Sequence, residues 1–454
     1  MKKLYFFLLM VLCFIISLFF LNSYLYFSIL FSFFSLILLI FLVNLNNYTK
    51  NFINPQTILL MGFFLLIFGR FFATILNDKY LSEVFCINFI FYYCLDSDGL
   101  FPLFFYLHSI LLSFGLAFVF SKNKKNIYSD KKAIILSSYK FYFTFFLGLF
   151  STIAVIVNNI ESILLVIKSG YLALYEGQGE DYEPPFYLVA NTISLGCLAV
   201  LYIFKDRNKK SKIFFNILFY LFIFKLLMMI GTGSRSHFIT GIIILFWYLF
   251  HTVNLKIKHY FFILFSFLFT VISINILASF SGARSIIISN ESFLERISYI
   301  FFNQGVSLMV FDISLKYDDY PWLGYLKVVF PGVQIFYKYF DVSERNEFNW
   351  SSYVVYKENP VAYYNGNGLG WSLYSDFYVL SFGIFPLFCL LIFLFAKFII
   401  KAIGDDSLYY KGIVFILVAT LFTLNRASIS SLFFIIIVYS LMYILLLKLK
   451  WSKS

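Results

Sequence analysis

LYFFLLMVLCFIISLFFL (Leu4–Leu21) and, three residues later, LYFSILFSFFSLILLIFLV (Leu25–Val43) carry no charge, and each coiled as a helix matches the hydrocarbon core of a bilayer. Similar apolar runs recur near 57–76, 101–120, 141–157, 186–204, 213–230, 237–255, 260–278, 371–395, 408–424 and 427–446. With 61% apolar and 13% charged residues among 454, the chain is expected to be an all-α polytopic membrane protein of about 12 transmembrane helices. Residues 1–278 would hold nine of them, with an acidic outer loop at 158–185. Residues 279–370 form one large outer loop with short helices of its own, because so long a connection does not stay structureless. Residues 371–454 hold the last three. The first run begins with lysines like a secretory signal, but no small-residue cleavage site follows and a second span starts at once, so it reads as a retained helix.

Charge fixes the expected orientation. With both termini in the cytoplasm, the inner connections hold 22 Lys and Arg against four acids, and the outer ones 12 against 19. The net charge of +12 therefore reflects topology and implies no nucleic-acid partner. The abundance of Phe, Tyr, Ile, Asn and Lys also follows from an AT-rich coding sequence, so aromatic richness by itself says little.

Arginine says more. There are seven against 28 lysines, and only Arg207 is expected inside; Arg70, Arg235, Arg284, Arg296, Arg345 and Arg426 are expected outside. Where lysine serves for any plain cation, a retained arginine points to its planar fork of donors. Arg70, Arg296 and Arg345 have adequate readings as ordinary loop charges or snorkelling anchors. Arg235 lies in Gly231-Thr-Gly-Ser-Arg-Ser-His237, a short turn between two apolar spans, where glycines leave amides open beside a guanidinium at a helix start. Arg426 in Asn425-Arg-Ala-Ser428 and Arg284 in Ser281-Gly-Ala-Arg-Ser285 repeat the pattern at two other outer helix ends. The three together suit one phosphate-rich ligand.

In the large loop, Phe293–Lys316 has the spacing of a helix lying on the membrane surface, and Tyr325–Phe336, interrupted by Pro331-Gly332, suits a re-entrant element. Trp322, Trp350 and Trp371 offer ring faces for sugar stacking, with Trp322 and Trp371 the candidates for contact; interfacial anchoring is the competing role. Cys86 and Cys94 share an outer loop whose compartment permits a disulfide. Asp96 and Asp98 read as a solvated loop, and the four histidines show no metal-ligand spacing. No phosphate-binding loop, dinucleotide fingerprint or heptad repeat is present, so no cofactor is expected. Lys225, deep in the seventh span, reads as an ion-paired or cavity-lining residue, with no partner identified.

The Gly-Thr-Gly-Ser-Arg-Ser turn, the single large outer loop, and the stretch Gly368-Leu-Gly-Trp-Ser-Leu-Tyr-Ser-Asp-Phe-Tyr378 followed by Phe382-Gly383 resemble the bacterial O-antigen polymerases of the Wzy type. Arginine-containing repeats in both large loops, found in some members, do not carry over, since 158–185 has none. The resemblance implies a GT-C-like glycosyltransferase in the inner membrane, with its large loop in the periplasm. It would transfer a chain held on undecaprenyl diphosphate to a new lipid-linked oligosaccharide repeat unit, commonly beside a chain-length regulator. Its diphosphate would fall to Arg235, Arg284 and Arg426, with Ser234 in the same turn, and the acceptor proton to Asp376, with Glu291, Glu295 and His237 as alternatives. A flippase of lipid-linked oligosaccharides, an O-antigen ligase and a secondary transporter compete. A flippase calls for shorter outer loops, the ligase for a histidine within 279–370, where none exists, and a transporter for internal repeats.

Overall fold

Serines spaced along otherwise apolar helices decide how the first helices meet, because lipid gives no hydrophobic drive between them and close approach with interhelical hydrogen bonds must serve. The structure, a computed structural model, describes residues 2–45, 53–88, 91–121, 138–170, 186–206, 208–251, 292–333 and 344–448. Helices α1 (Lys2–Phe20) and α2 (Leu25–Leu45) pack along each other and against α5 (Ser97–Val119). At their contact Ser17 Oγ donates to the Ser28 carbonyl at 3.0 Å, Ser28 Oγ returns a bond to Ser17 at 2.7 Å, and Ser32 Oγ meets His108 Nε2 of α5 at 2.9 Å.

A second group comprises α6 (Ser138–Ser169), α7 (Phe186–Phe204), α8 (Lys209–Met228) and α9 (Arg235–Phe250). Here Thr152 and Ser194 hydroxyls meet at 2.6 Å. Lys225 is buried with its Nζ 2.7 Å from Asn191 Oδ1 and 4.0 Å from the Phe222 ring centre, so the partner the sequence left open is an amide and a ring face. Between the groups runs α17 (Leu408–Leu424), packed on α7, α9, α16 (Phe385–Gly404) and α3 (Pro55–Leu66). It is apolar all round, as a helix surrounded by other helices must be. Helix α18 (Ile429–Tyr443) lies against α7.

Among the described residues, eight helices are long and apolar enough to span a membrane, and a bent pair adds a ninth. Helices α9 and α17 are apolar but shorter, and the expected span at 260–278 lies outside the described residues. The chain is thus an all-α multi-pass membrane protein.

Three expected elements are corrected. The run at 57–76 is α3 and α4 (Gly69–Leu76), meeting at 59°. The run at 371–395 is a short buried helix, α15 (Leu373–Leu380), and then α16, parted by a turn in which Phe382 and Gly383 have φ of 53° and 69°. Helix α6 continues to Ser169, so the outer loop begins later than 158. Apolarity alone shows none of these, since a bend or break buried in protein stays as apolar as a straight span.

The stretch read as one surface helix, 293–316, is two: α10 (Phe293–Gln304), capped by Ser292 and Glu295, and α11 (Ser307–Ser314), buried at every residue. Helix α10 packs on α4, and the contact depends on glycine: a Cβ at Gly69 would stand 2.6 Å from the Phe301 carbonyl oxygen. Beyond them lie α12 (Trp322–Val329), α13 (Trp350–Glu358) and α14 (Pro360–Tyr364); residues 334–336 of the suspected re-entrant stretch 325–336 lie outside the described residues.

Candidate functional site

At the end of the bundle that carries the α8–α9 and α17–α18 junctions, a cavity of about 1090 Å3 opens between the helix ends and the 292–370 segments. Among the described residues four arginines line it, Arg70, Arg235, Arg345 and Arg426, with a single carboxylate, Glu83, and no lysine. In a chain with four lysines for every arginine, that selection is the strongest chemical statement the cavity makes. Guanidinium donors in fixed forks suit carboxylate or phosphate oxygens, and a partly enclosed site strengthens them.

Each arginine is placed by local structure. The turn before α9 closes because Gly233 takes φ 78°, open to glycine at no steric cost, and Arg235 then occupies the first turn of α9. Ser234 Oγ and His237 Nδ1 meet at 2.7 Å, and both residues line the cavity. Arg426 follows Asn425, which is wholly buried; its Nδ2 donates to the Leu59 carbonyl of α3 at 3.2 Å and its Oδ1 accepts from Tyr374 OH of α15 at 2.9 Å. The turn bearing Arg426 is thereby tied to α3 and α15. Arg345 opens a short 3₁₀ turn, Arg345–Glu347.

Arg70 stands just past the α3–α4 bend and is 4% exposed. Its Nη1 donates to the Val84 carbonyl at 3.0 Å and to the Cys86 carbonyl, and its guanidinium lies 4.5 Å from the Phe302 ring centre. Cys86 and Cys94 form a disulfide across a two-stranded hairpin, β1 (Cys86–Asn88) and β2 (Tyr92–Cys94), with the two cysteines in register. Ile87, Asn88 and Tyr92 of this hairpin face the cavity. Tyr93 OH, on the same hairpin, donates to Asp312 Oδ2 of α11 at 2.8 Å.

Asp376 does not line the cavity. It is fully buried in α15, its Oδ1 accepting from Trp371 Nε1 at 2.6 Å and its Oδ2 from the backbone N–H of Ile429 at the start of α18. Trp371 directly follows the stretch 366–370 that forms one cavity wall, a wall also fastened where Ser351 Oγ donates to the Gly370 carbonyl at 2.6 Å. The acid thus joins the glycine-rich wall to the α17–α18 turn.

Of the residues singled out in the sequence, Arg235, Arg426, Ser234 and His237 come together. Arg284 and Glu291 lie outside the described residues. Glu295 is turned onto its own helix start, accepting from the Ser292 N–H at 2.8 Å, with Lys79 3.6 Å away. Trp322 is exposed and Trp371 buried, and neither is among the lining residues. Arg70 and Arg345, for which the sequence offered plain alternatives, line the cavity, as does Glu83. The signal for both arginines was present in the preference for arginine over lysine; nothing local marked Glu83.

A family model described as O-antigen polysaccharide polymerase Wzy matches residues 3–454, nearly the whole chain. The chain belongs to the O-antigen polysaccharide polymerase Wzy family. As a Wzy-family protein it acts in joining O-antigen repeat units into polysaccharide, the reading that stood against flippase, ligase and transporter. No curated protein and no solved structure matches it.

Proposed function

We propose that the arginine-lined cavity is the polymerisation site of this Wzy protein, facing the periplasm at the inner membrane and taking repeat units carried on undecaprenyl diphosphate. The observation that carries this reading is that, among the described residues, four arginines and no lysine line one cavity at a single end of the bundle. The lysine-poor sides of the expected spans support the periplasmic orientation.

In the transfer, a sugar hydroxyl of the incoming unit attacks the anomeric carbon of the growing chain, and the bond from that carbon to the diphosphate oxygen breaks. Negative charge gathers on the leaving diphosphate. Arg235, Arg345 and Arg426 present fixed donors to it, stabilising the charge as it develops, and Arg284 stays a candidate for the same role. The amides and hydroxyls of Asn88, Asn303, Asn349, Asn367 and Tyr363 give the cavity the partners that sugar hydroxyls need. Asp376 acts here as a positioning residue: its two acceptor bonds keep the glycine-rich wall and the Arg426 turn in register.

In a polymer-deficient host, Arg235→Ala and Arg426→Ala should leave single repeat units attached at the cell surface. The purified variants should retain less lipid-diphosphate-linked repeat unit. Full-length polymer from the double variant would overturn the assignment.

A further inference from the structure

The proposed transfer needs an acceptor for the hydroxyl proton, and three described acids, Asp376, Asp312 and Glu295, are committed elsewhere. Asp376 takes bonds from Trp371 and Ile429, Asp312 from Tyr93, and Glu295 from its own helix start. Glu83 differs. It is the one carboxylate among the described residues lining the cavity, and it is exposed there. It follows the 3₁₀ turn Asp78–Ser82 and immediately precedes Val84, whose carbonyl is held by Arg70. The Cys86–Cys94 bridge closes the hairpin on its other side. The Glu83 carboxylate is thus held between a guanidinium anchor and a disulfide. The Glu83 charge also acts on the Arg70 guanidinium. Arg70 spends Nη1 donors on two carbonyls and a face on Phe302, so its part is to fix this wall.

We propose that Glu83 is the general base of the polymerisation, a role that rests on the cavity being the transfer site. The acceptor hydroxyl gives its proton to the Glu83 carboxylate as its oxygen bonds to the anomeric carbon. The electron pair of the broken carbon–oxygen bond leaves on the diphosphate, held by Arg235, Arg345 and Arg426, and Glu83 later returns the proton to solvent. A proton acceptor placed this way contributes on the order of 10²–10⁴-fold.

The full-length protein in lipid nanodiscs tests this with synthetic lipid-diphosphate-linked repeat units for turnover and inorganic diphosphate as the binding probe. Glu83→Gln should lower kcat by about 100-fold or more and remove the acid limb of the pH profile, while diphosphate binds within about threefold of the unaltered protein. Glu83→Asp, which keeps a carboxylate, should recover part of the rate and the acid limb. An unchanged rate and acid limb in Glu83→Gln would overturn the proposal. So would a parallel loss of diphosphate binding, which would make Glu83 a support of the cavity wall. Separately, Arg235→Ala and Arg426→Ala proteins that bind diphosphate normally would sink the diphosphate reading whatever Glu83 does.

Discussion

Arg426 and Asp376 show how differently two polar residues at one helix junction are used. Arg426 faces the cavity and Asp376 is sealed behind it, accepting from an indole and a backbone amide. Arg426→Lys keeps the charge but replaces a rigid two-pronged donor by a point charge, so polymerisation should fall by roughly 10²-fold, read as loss of long modal chains. Asp376→Asn offers one acceptor and one donor to two donors. It should lower thermal stability by about 1–3 kcal/mol and reduce polymer length without changing the pH profile. A shift of that profile would return Asp376 to the chemistry.

Among the elements, the α4–α10 contact and the disulfide hairpin set one cavity wall. A methyl at Gly69 meets the Phe301 carbonyl, which lies in helix and cannot yield alone, so Gly69→Ala should move Phe302 from beneath Arg70 and cut activity. An active Gly69→Ala protein would show that the contact has slack. The hairpin leans on Asp312, whose carboxyl burial pushes up from 3.8 to about 7. Since the folded value is the higher, the stabilisation is complete below about pH 4 and is lost as pH rises through about 7. The melting temperature in detergent should therefore fall between about pH 4 and 7, and Asp312→Asn should flatten that slope. An equal slope in the variant would assign it to other groups.

At the scale of the molecule, the two helix groups meet on α17, and Asn425 at its end ties α3 and α15 to the Arg426 turn. Asn425→Leu removes both bonds and strands Tyr374 OH in a dry interior, a cost of about 1–3 kcal/mol. It should lower the melting temperature and, unlike a surface change, reduce polymerisation with it. Unaltered melting with lost activity would place Asn425 in the site instead of the frame.

The sequence by itself determined the apolar runs, the tight turn that starts α9 and the preference for arginine where lysine was the easy choice. These are legible because the cost of charge in lipid and the freedom of a glycine backbone act locally, residue by residue. Tertiary structure alone decided that Arg70 and Arg345 join Arg235 and Arg426, that Asp376 is buried behind the wall, and that two apolar runs bend or break. Those outcomes depend on contacts between residues hundreds of positions apart, such as Asn425 with Leu59, which no window along the chain contains.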